Sequence, residues 1–365
     1  MLATSQLDLA IIGGGPAGTA AAITAARLGA KVGLFEARDF PRHKVCGEFV
    51  SAESLNVLRG LLAGVPEAAG VLGSAPVLAQ TRFVFGRRMI ERQVSPPALS
   101  ITRFAMDALL WQAAQDAGVD TQPNCEVFTV EGEGPFTLLT SCGTYVARAL
   151  IVAAGRWSQF TSDRSLPAGP KWIGVKAHFR APQTPASTDL YFFEHGYCGV
   201  QPIGDGMVNA CAMVRSDVAT SLEGVFAQNP LLAARTREWQ LAAPAVSTAP
   251  LVYRQPQPVR GNILFAGDAA AFIDPFAGDG ISIALHSGKL AAECLRETVA
   301  GRLPLEDAIA AYHHEYNRQF VPLLAAAARV RSLFSLPEGV KPLAFELLRL
   351  PGLISYLMRK TRRSN

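Results

Sequence analysis

A glycine turn near the start constrains this chain more than any other feature. The apolar run Leu7-Asp8-Leu9-Ala10-Ile11-Ile12 has the length of a strand and leads directly into Gly13-Gly14-Gly15-Pro16-Ala17-Gly18. In a Gly13-x-Gly15-x-x-Gly18 turn the first glycine permits the sharp reversal. The second lets the backbone approach a pyrophosphate, and the third lets the following helix pack closely on the strand. That helix is predicted from Pro16 to about Leu28, with Gly29 as its stop. Its small apolar residues (Ala17, Ala20, Ala21, Ala22, Ala25, Ala26) suit a sheet surface. Its first N–H groups and positive dipole end suit phosphate. A second strand, Lys31 to Phe35, ends at Glu36-Ala37, where an acid fits the hydroxyls of a ribose. The predicted class is therefore α/β, with a Rossmann-like domain at the front.

A second turn stands far along the chain. Asn262 to Ala266 reads as a strand, followed by Gly267-Asp268-Ala269-Ala270 and an expected helix. A flavin dinucleotide needs two separate grips, one on its pyrophosphate and one on its ribityl chain and ring. The pair of turns therefore points to FAD. Composition agrees with an ordered enzyme. The chain has 365 residues, 49% hydrophobic and 18% charged, enough for a large core and two structural units. A scattered net charge of +4 argues against nucleic acid as a partner. Cys46, Cys125, Cys142, Cys198, Cys211 and Cys294 show no C-x-x-C and no metal-ligand spacing. No metal site is expected, and reduced thiols fit a cytoplasmic protein. The first strand begins by Leu7, so no leader is expected. No apolar run reaches the roughly 18 residues that span a bilayer.

Segments 1–75, 101–165 and 256–300 are assigned to a discontinuous FAD-binding domain. Segments 76–100 and 166–255 form an antiparallel-sheet substrate domain, and 301–365 a C-terminal helical region. Thr81 to Gly86, Met89 to Val94, Trp172 to Phe179, Leu190 to Phe193 and Met207 to Val214 read as strands, and Ile101 to Ala117 as a helix. Ala149 to Gly155 reads as a fully buried parallel strand. Near the end, Leu343 to Met358 carries an apolar face before Arg359, Lys360, Arg362 and Arg363. Packing on the protein's own surface is the plainer account. A peripheral membrane contact, and with it a lipid-like substrate, is the alternative.

Five places carry a resemblance to the FAD superfamily that holds aromatic-hydroxylase-type monooxygenases, flavin halogenases and geranylgeranyl reductases. They are the first turn with Glu36, Pro41-Arg42-His43-Lys44-Val45-Cys46-Gly47-Glu48, Arg103 before Phe104-Ala105-Met106-Asp107, Ala154-Gly155-Arg156, and Gly267-Asp268 through Pro275 and Gly278-Asp279-Gly280-Ile281. The second is closest to the geranylgeranyl reductases. The resemblance implies a fold of the glutathione-reductase/aromatic-hydroxylase type. It implies that Asp268 holds a ribityl hydroxyl, that Pro275 flanks the isoalloxazine ring, and that the turn at Gly278-Asp279-Gly280 faces the ring's pyrimidine end. It further implies that Arg42, Lys44, Cys46, Gly47 and Arg103 lie along the cofactor. A cation at the start of a helix opposes the dipole, which independently favours a functional Arg103. Many hydroxylases carry Asp-Gly where this chain has Ala154-Gly155, and no second dinucleotide turn exists. NADPH, NADH or a partner reductase thus remain open as electron donor.

On the substrate side, the Trp-x-Trp-x-Ile-Pro signature of halogenases is not found. The pocket stretch Gly-Tyr-x-Trp-x-Phe-Pro of the reductases corresponds to Gly196-Tyr197-Cys198-Gly199-Val200-Gln201-Pro202, where Gly199 and Gln201 replace two aromatics. This predicts an enlarged cavity. His195 beside Glu194 is the first acid/base candidate, His178 the second, with Tyr197 and Pro275 at the ring. The leading expectation is hydroxylation of an apolar aromatic or polyketide-like molecule by oxygen through a flavin C4a-hydroperoxide. Alkene reduction of a prenyl or lipid substrate is the rival. Halogenation and a non-catalytic electron carrier stand behind both.

Overall fold

The computed structural model describes residues 5–161, 169–272 and 278–334. Pro275 and the apolar-basic segment after 334 lie outside them. Two sheets organise the molecule. The first has eight strands, with the path Val259–Arg260, Ile263–Phe265, Gly143–Val152, Ser5–Ile12, Val32–Phe35, Asp120–Gln122. Ser5–Ile12 lies at its centre, parallel to both neighbours, in register Leu9↔Val32 and Ile12↔Val152. Phe136–Thr140 and Val127–Glu131 extend it as an antiparallel meander from Gly143–Val152. That last strand is longer than expected at its start and stops at Val152. Only from Ala149 onward is every residue buried, which is why the apolar pattern marks just its second half.

The helix Pro16–Arg27 forms as the glycine turn predicts, and Gly29 takes φ +91 just beyond it. Arg103–Asp116 is likewise helical and is capped by Thr102, whose hydroxyl accepts from Ala105 N. The second turn departs from expectation. Gly267–Ala269 makes a single 3-10 turn, and the long helix begins only at Gly280 and runs to Val299. Gly267 N is taken by Ser287 Oγ at 2.9 Å, so the turn is held by that helix rather than opening it. Before residue 76 the chain also forms the helices Ala52–Leu61 and Pro66–Ser74.

The second sheet has nine strands: Val77–Phe85, Arg88–Ser100, Trp172–Arg180, Ser187–Phe193, Gly196–Gly204 and Met207–Arg215, with short edges at Phe49–Val50, Gln240–Leu241 and Val246–Ser247. It is antiparallel apart from the parallel pair Val77–Phe85 and Ser187–Phe193. One face carries Val175, Ala177, Cys198, Val200, Ala210 and Ala212, and packs on Leu222, Val225, Phe226 and Leu232 of two short helices. The other face turns toward the flavin-type domain. Leu305–Phe334 supports the first sheet from outside, where buried Tyr312 donates to Phe265 O at 2.7 Å. Among the described residues no helix is long and apolar enough to cross a membrane. None of them gather into a metal-binding group of His, Cys, Asp or Glu.

Candidate active site

The two glycine turns meet. A Cβ on Gly18 would lie 1.8 Å from Gly13 O, and one on Gly288 would lie 2.0 Å from Ala17 O. Helix Gly280–Val299 therefore presses directly on the first turn of Pro16–Arg27, and Gly267 faces the Ala17 methyl. Close backbone packing of this kind brings the expected pyrophosphate and ribityl grips side by side. The geometry fits a dinucleotide. A Cβ at Gly15 would meet nothing within 4 Å, which leaves an open cradle. The helix above it has no side-chain cap and no acid in its first turn, so its N–H groups are not claimed by the chain.

Glu36 stands at the end of its strand and accepts from Gly14 N at 2.9 Å, while Arg42 forks onto both its oxygens at 2.5 and 2.8 Å. Burial alone would raise the Glu36 carboxyl; Arg42 and Gly14 outweigh it and hold it below the usual range. Arg103 forks onto buried Asp107 one helical turn on, at 2.7 and 2.6 Å, and also feels the Cys46 thiol. Asp268 is raised by burial, and the charges of Arg156, Arg103 and Lys44 oppose that rise. Lys44 is lowered to about 8 by burial and by Arg42 and Arg103. An anion placed among these cations would restore the Lys44 charge. Affinity of the apoprotein for FAD is expected to fall as pH rises from 8 toward the ordinary lysine value of 10.5. Fluorescence titration across that range checks it, and an unchanged slope in Lys44→Met would assign the fall elsewhere.

The segment after Arg42 is bound to the second sheet by a buried cluster. Glu48 is fully buried with φ +61, and it accepts from Lys176 Nζ at 2.5 Å, His178 Nε2 at 2.9 Å and Arg103 N at 2.8 Å. Lys176 also donates to Lys44 O, and Asn209 Nδ2 donates to Cys46 O and Gly47 O. Burial opposes the Glu48 charge, and His178 and Lys176 more than offset it, so the carboxyl is held low. His43 sits edge-on to His178 at 4.5 Å, lowered to about 4 by burial and by Lys176.

Strand register arranges the face that meets residues 44–48 in rows. His178, Asn209 and Gln201 form a polar row, and Gln201 reaches Ser100 Oγ at 2.6 Å. Lys176, Cys211, Gly199, Leu190 and Phe83 come next. Met213, Tyr197, Phe192 and Phe85 form an apolar row, against which Leu251, Tyr253 and Phe272 pack. Phe272 follows the Asp268 turn, so that turn and this wall are neighbours.

Tyr197 lies on this wall. Gly199 lies on the same face, where a Cβ would be in ordinary contact with Leu190 Cδ2 at 3.4 Å. His195 is not brought to this face. It is a half-exposed hairpin residue at φ +57, paired with Glu194 at 3.2 Å. His178, the second candidate, is in the buried cluster. Ala154 and Gly155 follow the end of strand Gly143–Val152, and Gly278, Asp279, Gly280 and Ile281 form the start of the long helix. Lys176, Asn209 and Gly288 were not singled out from sequence.

The paired turns, the acid at Glu36 and the open cradle fit a flavin dinucleotide. The chain is similar to FAD-dependent oxidoreductases along most of its length. Residues 8–52 match the family described as FAD dependent oxidoreductase. A menaquinone reductase of Mycobacterium tuberculosis is 28% identical, covering 83% of this chain and 80% of its own length. A digeranylgeranylglycerophospholipid reductase of Methanococcoides burtonii is 25% identical over 98% and 93%. A flavin-dependent brominase has the same fold, with a TM-score of 0.81, 22% identity and coverage of 98% and 93%.

Proposed function

We propose that this enzyme reduces a carbon–carbon double bond in a prenyl-bearing lipid. The observation that carries the reading is the buried apolar row Met213, Tyr197, Phe192 and Phe85. It crosses four strands, roughly 14 Å at ~4.8 Å per strand. Phe85 and Phe192 stack at 4.4 Å, and Tyr253 and Phe272 meet at 5.3 Å. A wall that long and apolar suits an extended hydrocarbon chain. Two of the relatives are named for reductions of lipids that carry such chains.

Reduced FAD, when bound, supplies a hydride. The protein's own part is to exclude water, align the double bond along the row and provide a proton for the second carbon. Tyr197 brings a hydroxyl to that row and is the proposed donor. Hydroxylation of an aromatic ring is the second reading, favoured by the number of rings in the wall. Both are tested by reducing the enzyme without oxygen and adding a geranylgeranyl lipid or a menaquinone. Flavin reoxidation with a product in which one side-chain carbon–carbon double bond has become single, with two hydrogen atoms gained there, is expected. A product formed only in air, with one oxygen atom gained, would replace reduction by hydroxylation.

A further inference from the structure

Two thiols meet where the antiparallel meander leaves the first sheet. Val127 pairs with Thr140. One step on, Ser141 N donates to Glu126 O at 2.8 Å and Glu126 N donates to Ser141 Oγ at 3.0 Å. The same register, carried one residue further, sets Cys125 opposite Cys142. Neither backbone N–H of that pair is spent on the other: Cys125 N donates to Glu36 O at 2.8 Å, and Cys142 N to Thr140 Oγ1 at 3.0 Å. An antiparallel pair without mutual hydrogen bonds brings its Cα atoms to about 4.5 Å, within the span that a disulfide needs. The side chains agree. Cys125 Sγ donates to Thr140 Oγ1 at 3.3 Å, the same hydroxyl that takes the N–H of Cys142. Cys125 is buried and Cys142 is exposed. Burial, with the Cys142 sulfur beside it, raises the Cys125 thiol.

The position gives this pair something to act on. Glu36, whose carboxylate takes Gly14 N and the Arg42 fork, is tied to Cys125 through its own carbonyl. Phe35, next to it, meets Tyr145 edge-on at 4.7 Å, and Tyr145 also feels both thiols. We propose that Cys125 and Cys142 are a reversible dithiol–disulfide pair that locks the Glu36 corner of the cofactor cleft. The oxidant is hydrogen peroxide, which forms when a reduced flavin meets oxygen. The exposed Cys142 sulfur takes one oxygen from the peroxide to become a sulfenic acid, and the other oxygen leaves as water. The Cys125 sulfur then attacks the Cys142 sulfur. The S–S bond forms, the S–O bond breaks, and the hydroxyl leaves with the Cys125 proton as a second water. The two thiols lose two electrons, and the peroxide gains them. A small thiol reverses the change by exchange. The proposal does not depend on the substrate class, so it and the alkene reading can fail separately.

The test treats the FAD-loaded protein with hydrogen peroxide and then removes the peroxide. Digestion at glutamates cuts between the pair at Glu126, Glu131 and Glu133. It should yield fragments joined through Cys125 and Cys142, which dithiothreitol separates. The melting temperature should rise by several degrees, because the cross-link closes a loop in the unfolded chain. Release of FAD after dilution, followed by flavin fluorescence, should slow about twofold or more, because the corner is held in its bound arrangement. Cys142→Ser should show none of the three changes, and Cys125→Ala is the second variant. Unjoined fragments after peroxide, a sulfinic acid at Cys142, or a dimer linked through it would overturn the proposal. So would an oxidised form that releases FAD as fast as the reduced one, since the link would then lock nothing.

Discussion

Replacing Lys176 with methionine is expected to destabilise the protein by about 3–5 kcal/mol, the usual result of removing one member of a buried ion pair. Both Lys176 and Glu48 are fully buried. Without the ammonium group the carboxylate keeps His178 Nε2 and Arg103 N but loses its 2.5 Å partner. The melting temperature should fall by several degrees. Glu48→Gln combined with Lys176→Met should recover part of the loss, since no uncompensated charge remains. The pH dependence gives a second readout. Glu48 is held below its ordinary value of 4.5, so its contribution is present above that value and is lost as pH falls through the lower folded value. In Lys176→Met that acid loss should begin at higher pH. Flavin content should drop as well, because Lys176 also holds Lys44 O. A variant with unchanged melting temperature and unchanged flavin would show that the cluster holds nothing in place.

The second large effect is expected at Gly288. Even alanine there would place a methyl 2.0 Å from Ala17 O, a backbone atom that cannot rotate away. The long helix must move off the first turn of Pro16–Arg27, and Gly267 moves with it through its bond to Ser287. Overpacking of this kind costs roughly 1–3 kcal/mol. The larger consequence is for the cofactor, whose two grips would no longer be in register. Gly288→Ala is expected to purify largely without flavin. Full flavin occupancy would show that the contact tolerates adjustment.

The first turn was legible in the sequence as a local pattern of apolar run, glycines and small-residue helix; the second was legible as strand and turn only, because the helix that holds Gly267 begins at Gly280. Glu36 could be found by its spacing from Gly13. Arg42, Lys44 and Cys46 could be placed only by resemblance, since nothing local says that residues 44–48 lie against a distant sheet. Gly288 was missed because one glycine in an apolar helix has no signature until the opposing backbone is known. Lys176 could have been found. A lysine two positions before His178, in the strand Trp172–Arg180 that is otherwise mostly apolar, sits on the same face by the two-residue period, and a buried cation requires a buried acid. His195 drew attention through its neighbour Glu194, but a short polar pair also marks a hairpin, and the left-handed backbone there is a turn property.

The rows on the second sheet also say how this enzyme can change. Residues of the Glu48 joint and residues of the apolar row proposed to meet substrate stand on one face of neighbouring strands: Lys176 and His178 in Trp172–Arg180, Asn209 and Met213 in Met207–Arg215, Gln201 and Tyr197 in Gly196–Gly204. Substitutions along the Met213–Tyr197–Phe192–Phe85 line can therefore reshape the chamber without touching the Glu48 joint. On the proposed reading, preference for a new substrate is a matter of repainting one stripe of a fixed panel, while the flavin machinery stays still.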